Sequence, residues 1–380
     1  MTAREAYRRA GVDVAAGDRA VELMRERLRG LGSGGTEVVG GLGGFGAAIA
    51  PPALREPLLV AGTDGVGTKT LLAERLRRFD SIGQDVVAYN VDDVVCHGAR
   101  PLFFLDYLAV GRVEPETVAD IVAGVGRACA AAGCALVGGE TAEHPGLLRP
   151  EQFDLAGFCV GIVERADYLD GQTAVPGDVL IGLAADGLRA TGYSLVRAIL
   201  ADFELDLGRP YLDLVRASLG GVEASRLETE EPGRVLATLG DVLLAPSRIY
   251  TPAVLGLRAS LRAAGHDLHG LAHVTGGGLP GNIPRALPGD LAAEVELGTW
   301  RLPSVHRLVA ALGRLDGPEL RATLNAGLGM VAIVPEPAAE LAVAALAAAD
   351  IAAWPVGRVV SAAGGPRYRE SGEEAAEAPS

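Results

Sequence analysis

The chain has 380 residues, 49% of them apolar, and carries 34 basic against 48 acidic side chains for a formal charge of −14. That length allows two or three domains with a sizeable core, and the acidic balance argues against a duplex nucleic acid partner, which needs a basic footprint. No apolar run is long enough to span a bilayer and no apolar core follows the first residues, so the sequence predicts a soluble cytoplasmic protein with neither membrane nor nucleic acid as partner.

Apolar positions at Ala20, Val21, Leu23, Met24 and Leu28 predict a helix over 18–29, ended by the glycines from Gly30 to Gly35. Gly41, Gly43 and Gly46 spell a formal GxGxxG. Pro51 and Pro52 follow too closely for the helix that a dinucleotide site requires, so the segment reads as a glycine loop. Residues 58–61 read as a strand, and behind them stands Gly62-Thr63-Asp64-Gly65-Val66-Gly67-Thr68-Lys69. An acid, two hydroxyls, a lysine and three glycines placed where a strand meets a helix can hold a metal-bound polyphosphate. It is not a Walker A loop, because Thr68 intrudes before Lys69. Taken alone, the segment stays open between a phosphate loop and a tight turn with an incidental lysine.

Further along, 69–77 reads as a short helix, and 86–97 as an apolar helix with the paired acids Asp92 and Asp93. A strand is expected over 102–109 with Asp106 inside it, an Ala-rich helix over 115–132, and a buried strand over 135–137 that delivers Gly138-Gly139-Glu140-Thr141. A further strand covers 156–163. Turn signals at Asp170-Gly171 and Pro176-Gly177 place a boundary there. The second half offers a strand at 179–183, a loop at 186–191, a helix at 193–200, an insertion of mixed charge at 205–236 and a helix at 252–264. Thr275-Gly276-Gly277-Gly278 is a second anion cradle, with Asn282 and Arg285 beside it; a flexible turn is the other reading. Strand 331–334, helix 338–349 and strand 356–360 complete the chain. Cys96, Cys129, Cys134 and Cys159 have no zinc-like spacing and read as free thiols. The alternation lacks a strict parallel period, so the expected class is α+β with mixed sheets. The domains are expected at 1–172 and 173–362, with a disordered acidic tail over 363–380.

The segments Gly11-Val12-Asp13, Gly40 to Gly46, Gly62 to Lys69, Gly98 to Asp106, Leu136 to Gly146 and Phe153 to Val160 resemble the aminoimidazole ribonucleotide synthetase family, the phosphoribosylformylglycinamidine cyclo-ligases. Gly192 to Arg197, His273 to Gly278 and Asn282 to Arg285 extend the likeness into the second half. The resemblance implies a homodimer whose N-terminal domains share a barrel-like sheet, with a separate C-terminal α/β domain. It implies ATP and magnesium, a phosphoribosyl-type substrate, and ring closure through an O-phosphorylated amide.

Carried over residue by residue, it makes Asp93 and Lys69 catalytic. Gly43, Gly44, Gly46, Thr63, Asp64, Gly65, Thr68, Lys69, Gly139, Glu140 and Thr141 become nucleotide-binding. Asp64, Asp80 and Asp93 become metal-binding, and Arg189, Thr191, Tyr193, Thr275, Gly276, Gly277, Gly278 and Asn282 become substrate-binding. One stretch departs from the family. Where it has Gly-Leu-His-Ser-Asn-Gly-Tyr-Ser, this chain has Gly187-Leu188-Arg189-Ala190-Thr191-Gly192-Tyr193-Ser194, and Asp186 and Arg100 also differ from the usual residues. Arginine cannot exchange a proton near neutral pH as histidine can. The alternative is therefore a paralogue that activates a different amide with the same ATP chemistry.

Overall fold

The computed structural model describes residues 5–372 apart from 6, 8 and 40–45. The chain divides into two compact units, one of Met1–Val95 with Ala99–Tyr168, the other of Cys96–Gly98 with Leu169–Ser380. Each is α+β.

The first unit runs α1 (Val14–Leu28), β1 (Glu37–Val39), β2 (Ala48–Ala50), β3 (Pro57–Gly65), α2 (Thr70–Leu76), α3 (Ile82–Val95), β4 (Arg100–Val110), α4 (Pro115–Ala132), β5 (Ala135–Glu143) and β6 (Phe153–Glu164). Asp13 caps α1 by accepting from the Ala15 and Ala16 amides. Pro115 opens α4 and Gly133, at φ 72°, closes it in the left-handed conformation. The main sheet has the order β3-β6-β4-β5. β4 and β5 are parallel because α4 carries the chain between them; the other pairings are antiparallel. Helices α3 and α4 cover one face. The other face exposes Leu59, Tyr107 and Phe158, at 68%, 43% and 39%.

The second unit contains β7 (Val179–Ala184), α5 (Tyr193–Asp202), α6 (Tyr211–Leu219), α7 (Gly221–Glu230), α8 (Leu239–Leu243), α9 (Thr251–Ala263), β8 (Gly270–His273), α10 (Gly278–Asn282), β9 (Leu291–Glu296), α11 (Ser304–Gly313), α12 (Gly317–Thr323), β10 (Leu328–Val334), α13 (Ala339–Ala348), β11 (Ala353–Ser361) and β12 (Tyr368–Ser371). Its six-stranded sheet has the order β12-β9-β11-β7-β10-β8. β10, buried along its whole length, lies between β7 and the edge strand β8. The mixed-charge insertion is largely helical, as α6 and α7.

The expected disordered tail needs correction. Residues 368–371 form β12, which pairs parallel to β9. Acids after Arg369 read as solvated charge in the sequence. In the structure Glu370 accepts from Arg321 Nε and Nη2, both at 2.7 Å, and the Arg321 side chain is only 4% exposed. A buried guanidinium needs its carboxylate, and that need fixes the strand. Residues 373–380 lie outside the described part. Glu370→Ala is expected to lower unfolding free energy by roughly 1–3 kcal/mol, because it strands that guanidinium; urea denaturation of the full chain checks it, and an unchanged midpoint would contradict the pairing.

Candidate functional site

The eight-residue segment after the first strand is not a loop. β3 continues through Gly65, with Thr63 opposite Phe158 and Asp64 opposite Gly157. The extended path ends at Val66, which is in the right-handed helical region, and at Gly67, at φ 67°; a short 3-10 turn over Gly67–Lys69 then leads into α2. Leu58, Val60, Gly62 and Asp64 face the helices, while Leu59, Ala61 and Thr63 face outward, as the two-residue strand period requires. The same correction applies at Gly138-Gly139-Glu140-Thr141, which lies within β5 rather than beyond its end.

One row crosses all four strands: Asp64 on β3, Gly157 on β6, Asp106 on β4 and Gly139 on β5. Adjacent strands stand ~4.8 Å apart, so the two acids are about 10 Å apart along the backbone. Both glycines are sterically required. A Cβ on Gly157 would lie 2.2 Å from Phe104 Cζ and 2.9 Å from Asn90 Nδ2; one on Gly139 would lie 2.2 Å from Asp106 Oδ1. Asn90 Nδ2 donates to the Asp64 carbonyl at 3.2 Å, tying α3 to β3. A Cβ on Gly62 would sit 3.8 Å from Asp93 Cβ, so Asp93 comes to the same covered side of β3 as Asp64.

Asp80 is not part of this arrangement. It is exposed and precedes the first turn of α3, whereas Asp93 is in the last, some ~16 Å along the axis at 1.5 Å per residue. Among the described residues no three His, Cys, Asp or Glu side chains form a ready metal site. Asp64 and Asp93 together still suit magnesium, which takes one or two carboxylates and draws its remaining ligands from phosphates and water.

Lys69 is fully buried, its Nζ 2.7 Å from the equally buried Asp85 carboxylate. The ammonium is engaged in joining the turn before α2 to α3, a role hidden in the sequence because its partner belongs to the next helix.

Gly46, Gly139, Glu140 and Thr141 come together at a cavity of about 660 Å³. α1 supplies Ala20, Val21, Met24 and Leu28 to its apolar wall, and Arg25 and Asp106 also line it. Asp106 is 8% exposed, and burial pushes its pKa up to about 7 against the pull of its own backbone N–H. The sequence places Asp106 inside a strand and makes it, with Asp80, a further candidate among the site acids; the glycine opposite it is visible only in the sheet register. Thr63, by contrast, faces outward and donates to the Gly157 carbonyl at 2.8 Å. Gly43 and Gly44 lie outside the described residues. Cys129, Cys134 and Cys159 are buried free thiols, and Cys96 is half-buried.

In the second unit, Thr275 to Gly278 follow β8. Gly277 and Gly278 have φ of 90° and 59°, and a Cβ on Gly278 would lie 1.9 Å from the Arg321 carbonyl oxygen. Asn282 is 2% exposed and braces the turn from behind, donating to the carbonyls of Gly276 at 3.1 Å and Gly278 at 2.8 Å. It therefore shapes the cradle from inside.

Arg189 also turns inward. It is 2% exposed, with φ of 62°. One guanidinium nitrogen donates to His273 Nε2 at 2.6 Å and to the Gly329 carbonyl at 3.2 Å. The other donates to the Arg248 carbonyl at 3.2 Å, and the guanidinium carbon stands 5.1 Å from the centre of the Tyr250 ring. Asp186, the neighbouring departure, accepts two bonds from the same Arg248, at 2.9 and 2.8 Å. The two unusual residues thus latch one loop onto one segment. Tyr193 is 3% exposed and donates to the Leu243 carbonyl, while Thr191 is half-buried.

The loop's start is held by a third contact. Asn325 Nδ2 donates to the Gly187 carbonyl at 2.9 Å, and its Oδ1 accepts from His306 Nε2 at 2.6 Å. His306 is fully buried, and that burial brings its pKa down to about 4.

Two outcomes follow. Lys69→Met should destabilise the fold by about 3–5 kcal/mol by stranding Asp85, and Lys69→Met with Asp85→Leu should recover most of that in thermal melts; a double variant no better than the single one contradicts a structural role. For His306, the unfolded chain binds the proton more readily than the folded one between pH 6.5 and about 4. Stability is therefore expected to fall with pH across that window, by up to about 3 kcal/mol. His306→Leu should flatten the dependence of the urea midpoint on pH between 7.5 and 5.

Comparison with known proteins bears on what these parts do. Residues 47–163 match the family "AIR synthase related protein, N-terminal domain" and 175–367 match "AIR synthase related protein, C-terminal domain". Phosphoribosylformylglycinamidine cyclo-ligase of Bacillus thuringiensis (strain Al Hakam) is 44% identical over 362 residues, 94% of this chain and 96% of that one. The protein of that name from Bacillus cereus (strain AH820) is similar to the same extent. Among solved structures, thiamine-monophosphate kinase from Stenotrophomonas maltophilia shares the fold, with a TM-score of 0.61 at 19% identity over 94% of this chain and 97% of that one. Hydrogenase maturation protein HypE in complex with ATP gives 0.60 at 19% identity, over 91% and 87%. The chain belongs to the phosphoribosylformylglycinamidine cyclo-ligase family of AIR synthase related proteins.

Proposed function

We propose that this chain closes the imidazole ring of aminoimidazole ribonucleotide, starting from formylglycinamidine ribonucleotide and using ATP, a step of purine biosynthesis. The observation that carries the reading is the 44% identity to cyclo-ligases over 94% of the chain. In this reading ATP enters the 660 Å³ cavity, with its adenosine against the apolar wall from α1, near Glu140, Thr141 and Arg25. Asp64 and Asp93 would hold a magnesium ion, which would supply positive charge against the phosphates. Thr275 to Gly278 offer backbone N–H groups to the substrate's ribose phosphate.

An amide oxygen is a poor leaving group, and phosphorylation makes it a good one. What remains for the protein is to align the oxygen with the γ-phosphate, then hold the amidine nitrogen against the activated carbon. Lys69 acts here by fixing α2 to α3. Asp93 would act on the phosphates only through the cation it helps to hold.

The alternative of a different amide rests on Arg189-Ala190-Thr191. Arg189 is buried against His273 and Tyr250 and Ala190 is buried, which leaves half-buried Thr191 as the one changed side chain in that stretch with partial exposure. The outward Leu59, Tyr107 and Phe158 give the first unit an apolar sheet face suited to a second copy, and a homodimer is part of the proposal.

Purified full-length protein with formylglycinamidine ribonucleotide, ATP and magnesium should give aminoimidazole ribonucleotide and one ADP per ring. Sedimentation of the same preparation should show twice the chain mass of 39.0 kDa. Folded protein that binds ATP but forms no aminoimidazole product would sink the assignment, and a monomeric mass would remove the dimer alone.

A further inference from the structure

The cavity of the first unit holds an acid that phosphate binding does not need. Asp106 lines it at 8% exposure, and among the described residues no other residue is recorded in a hydrogen bond or ion pair with its carboxylate. Its partner in the parallel register is Gly139, and a Cβ there would lie 2.2 Å from Asp106 Oδ1. The sheet thus leaves out a side chain at the edge strand, and this carboxyl occupies the room it would have filled. An acid kept this dry is costly unless its protonation changes in use.

We propose that Asp106 accepts the proton released by the amidine nitrogen as the ring closes. The inference rests on the cyclo-ligase reading and names a residue for its second step. The amidine nitrogen attacks the carbon that carries the phosphorylated oxygen. A C–N bond forms, the C–O bond breaks, and inorganic phosphate leaves with that bond's electron pair. The nitrogen's proton passes to the Asp106 carboxylate and from there to water, so atoms and charge balance. Before attack, the same carboxylate can pair with a cationic amidine in two parallel N–H···O bonds, as carboxylates pair with guanidinium.

Among the described residues, Arg25 of α1 lines the same cavity as Asp106, and Cys129 on α4 lies close enough to feel its charge; Tyr107 and Glu140, one residue along their strands, point to the opposite face of the sheet. A pKa of about 7, set by burial, leaves a large fraction ionised at neutral pH and lets it take and return a proton there.

The test uses the full-length dimer or monomer as purified. The wild-type kcat for ring closure should fall on the acid side with a midpoint near pH 7. Asp106→Asn should lower kcat by about 10²–10⁴-fold, remove that acid limb and leave the KM for ATP unchanged. Transfer of amide 18O to phosphate marks the activation step. Asp106→Asn should slow the appearance of the ring far more than formation of the phosphorylated amide, trapped by rapid quench. A wild-type kcat that is flat from pH 5.5 to 8.5 overturns the proposal even if the variant fails to fold. So does a folded Asp106→Asn enzyme with an unaltered kcat, or one whose loss lies wholly in ATP binding. Wild-type protein that makes no aminoimidazole product defeats the cyclo-ligase reading itself, an outcome separate from these.

Discussion

The first unit depends on a steric bargain along one row of its sheet. Asp64 and Asp106 keep their places because Gly157 and Gly139 lack side chains. A methyl group at Gly157 would strike Phe104 and Asn90, pushing α3 off the sheet and Asp93 away from β3. A methyl at Gly139 would displace the Asp106 carboxyl. Glycine in a strand interior weakens it, both through backbone entropy and through absent packing. Here that cost is offset by close approach of helix and sheet, with Val86, Val87 and Val91 of α3 fully buried.

This arrangement explains why the element types were legible in sequence while the site geometry was not. Helix α4, with proline at its start and glycine past its end, could be read to the residue, because its signals are local. Gly62 to Gly65 and Gly138 to Thr141 looked like loops because glycine is the usual sign of a turn. They are strands because neighbouring backbones satisfy them, and nothing local announces that. Lys69 looked like a phosphate ligand for the same reason. Its ion pair with Asp85 closes across two elements, and a lysine beside glycines carries no mark of being buried. β12 was hidden by charge, since Glu370 is neutralised by Arg321, 49 residues before it in sequence.

The loop from Asp186 to Thr191 gives the clearest case of sequence and structure pointing in different directions. Read alone, arginine in place of histidine suggests a changed substrate. In space, the guanidinium reaches His273, Gly329 and Arg248, which lie 84, 140 and 59 residues along the chain. Arginine only donates, so His273 Nε2 must accept, and its other ring nitrogen carries the hydrogen. Asp186 grips Arg248 from the other side. Neither residue is intelligible by itself; as a pair bound to Arg248 they are one packing solution. A substitution that looks chemical at the level of a motif is mechanical at the level of the fold.

On the proposed reading, the two units divide the electrostatic work in a way that suits an acidic chain. Carboxylates gather in the first unit, where Asp64, Asp93, Asp106 and Glu140 all lie near the sheet. The cradle of the second unit is made of backbone at Thr275 to Gly278, stiffened by Asn282. At an effective dielectric of 20, like charges 4 Å apart repel by about 4 kcal/mol. Polyphosphate cannot therefore approach the acids of the first unit bare; a divalent cation must stand between, or the nearest carboxyl must be protonated. Asp64 and Asp93, with sequence neighbours that place them on one covered face, suit the first solution. Asp106, which burial brings to a pKa of about 7, can take either state at neutral pH. A monoester phosphate meets no such barrier at a glycine turn, because backbone N–H groups carry partial positive charge and no counter-ion is needed. Position in the sheet, rather than residue type, is what separates the roles of chemically identical acids.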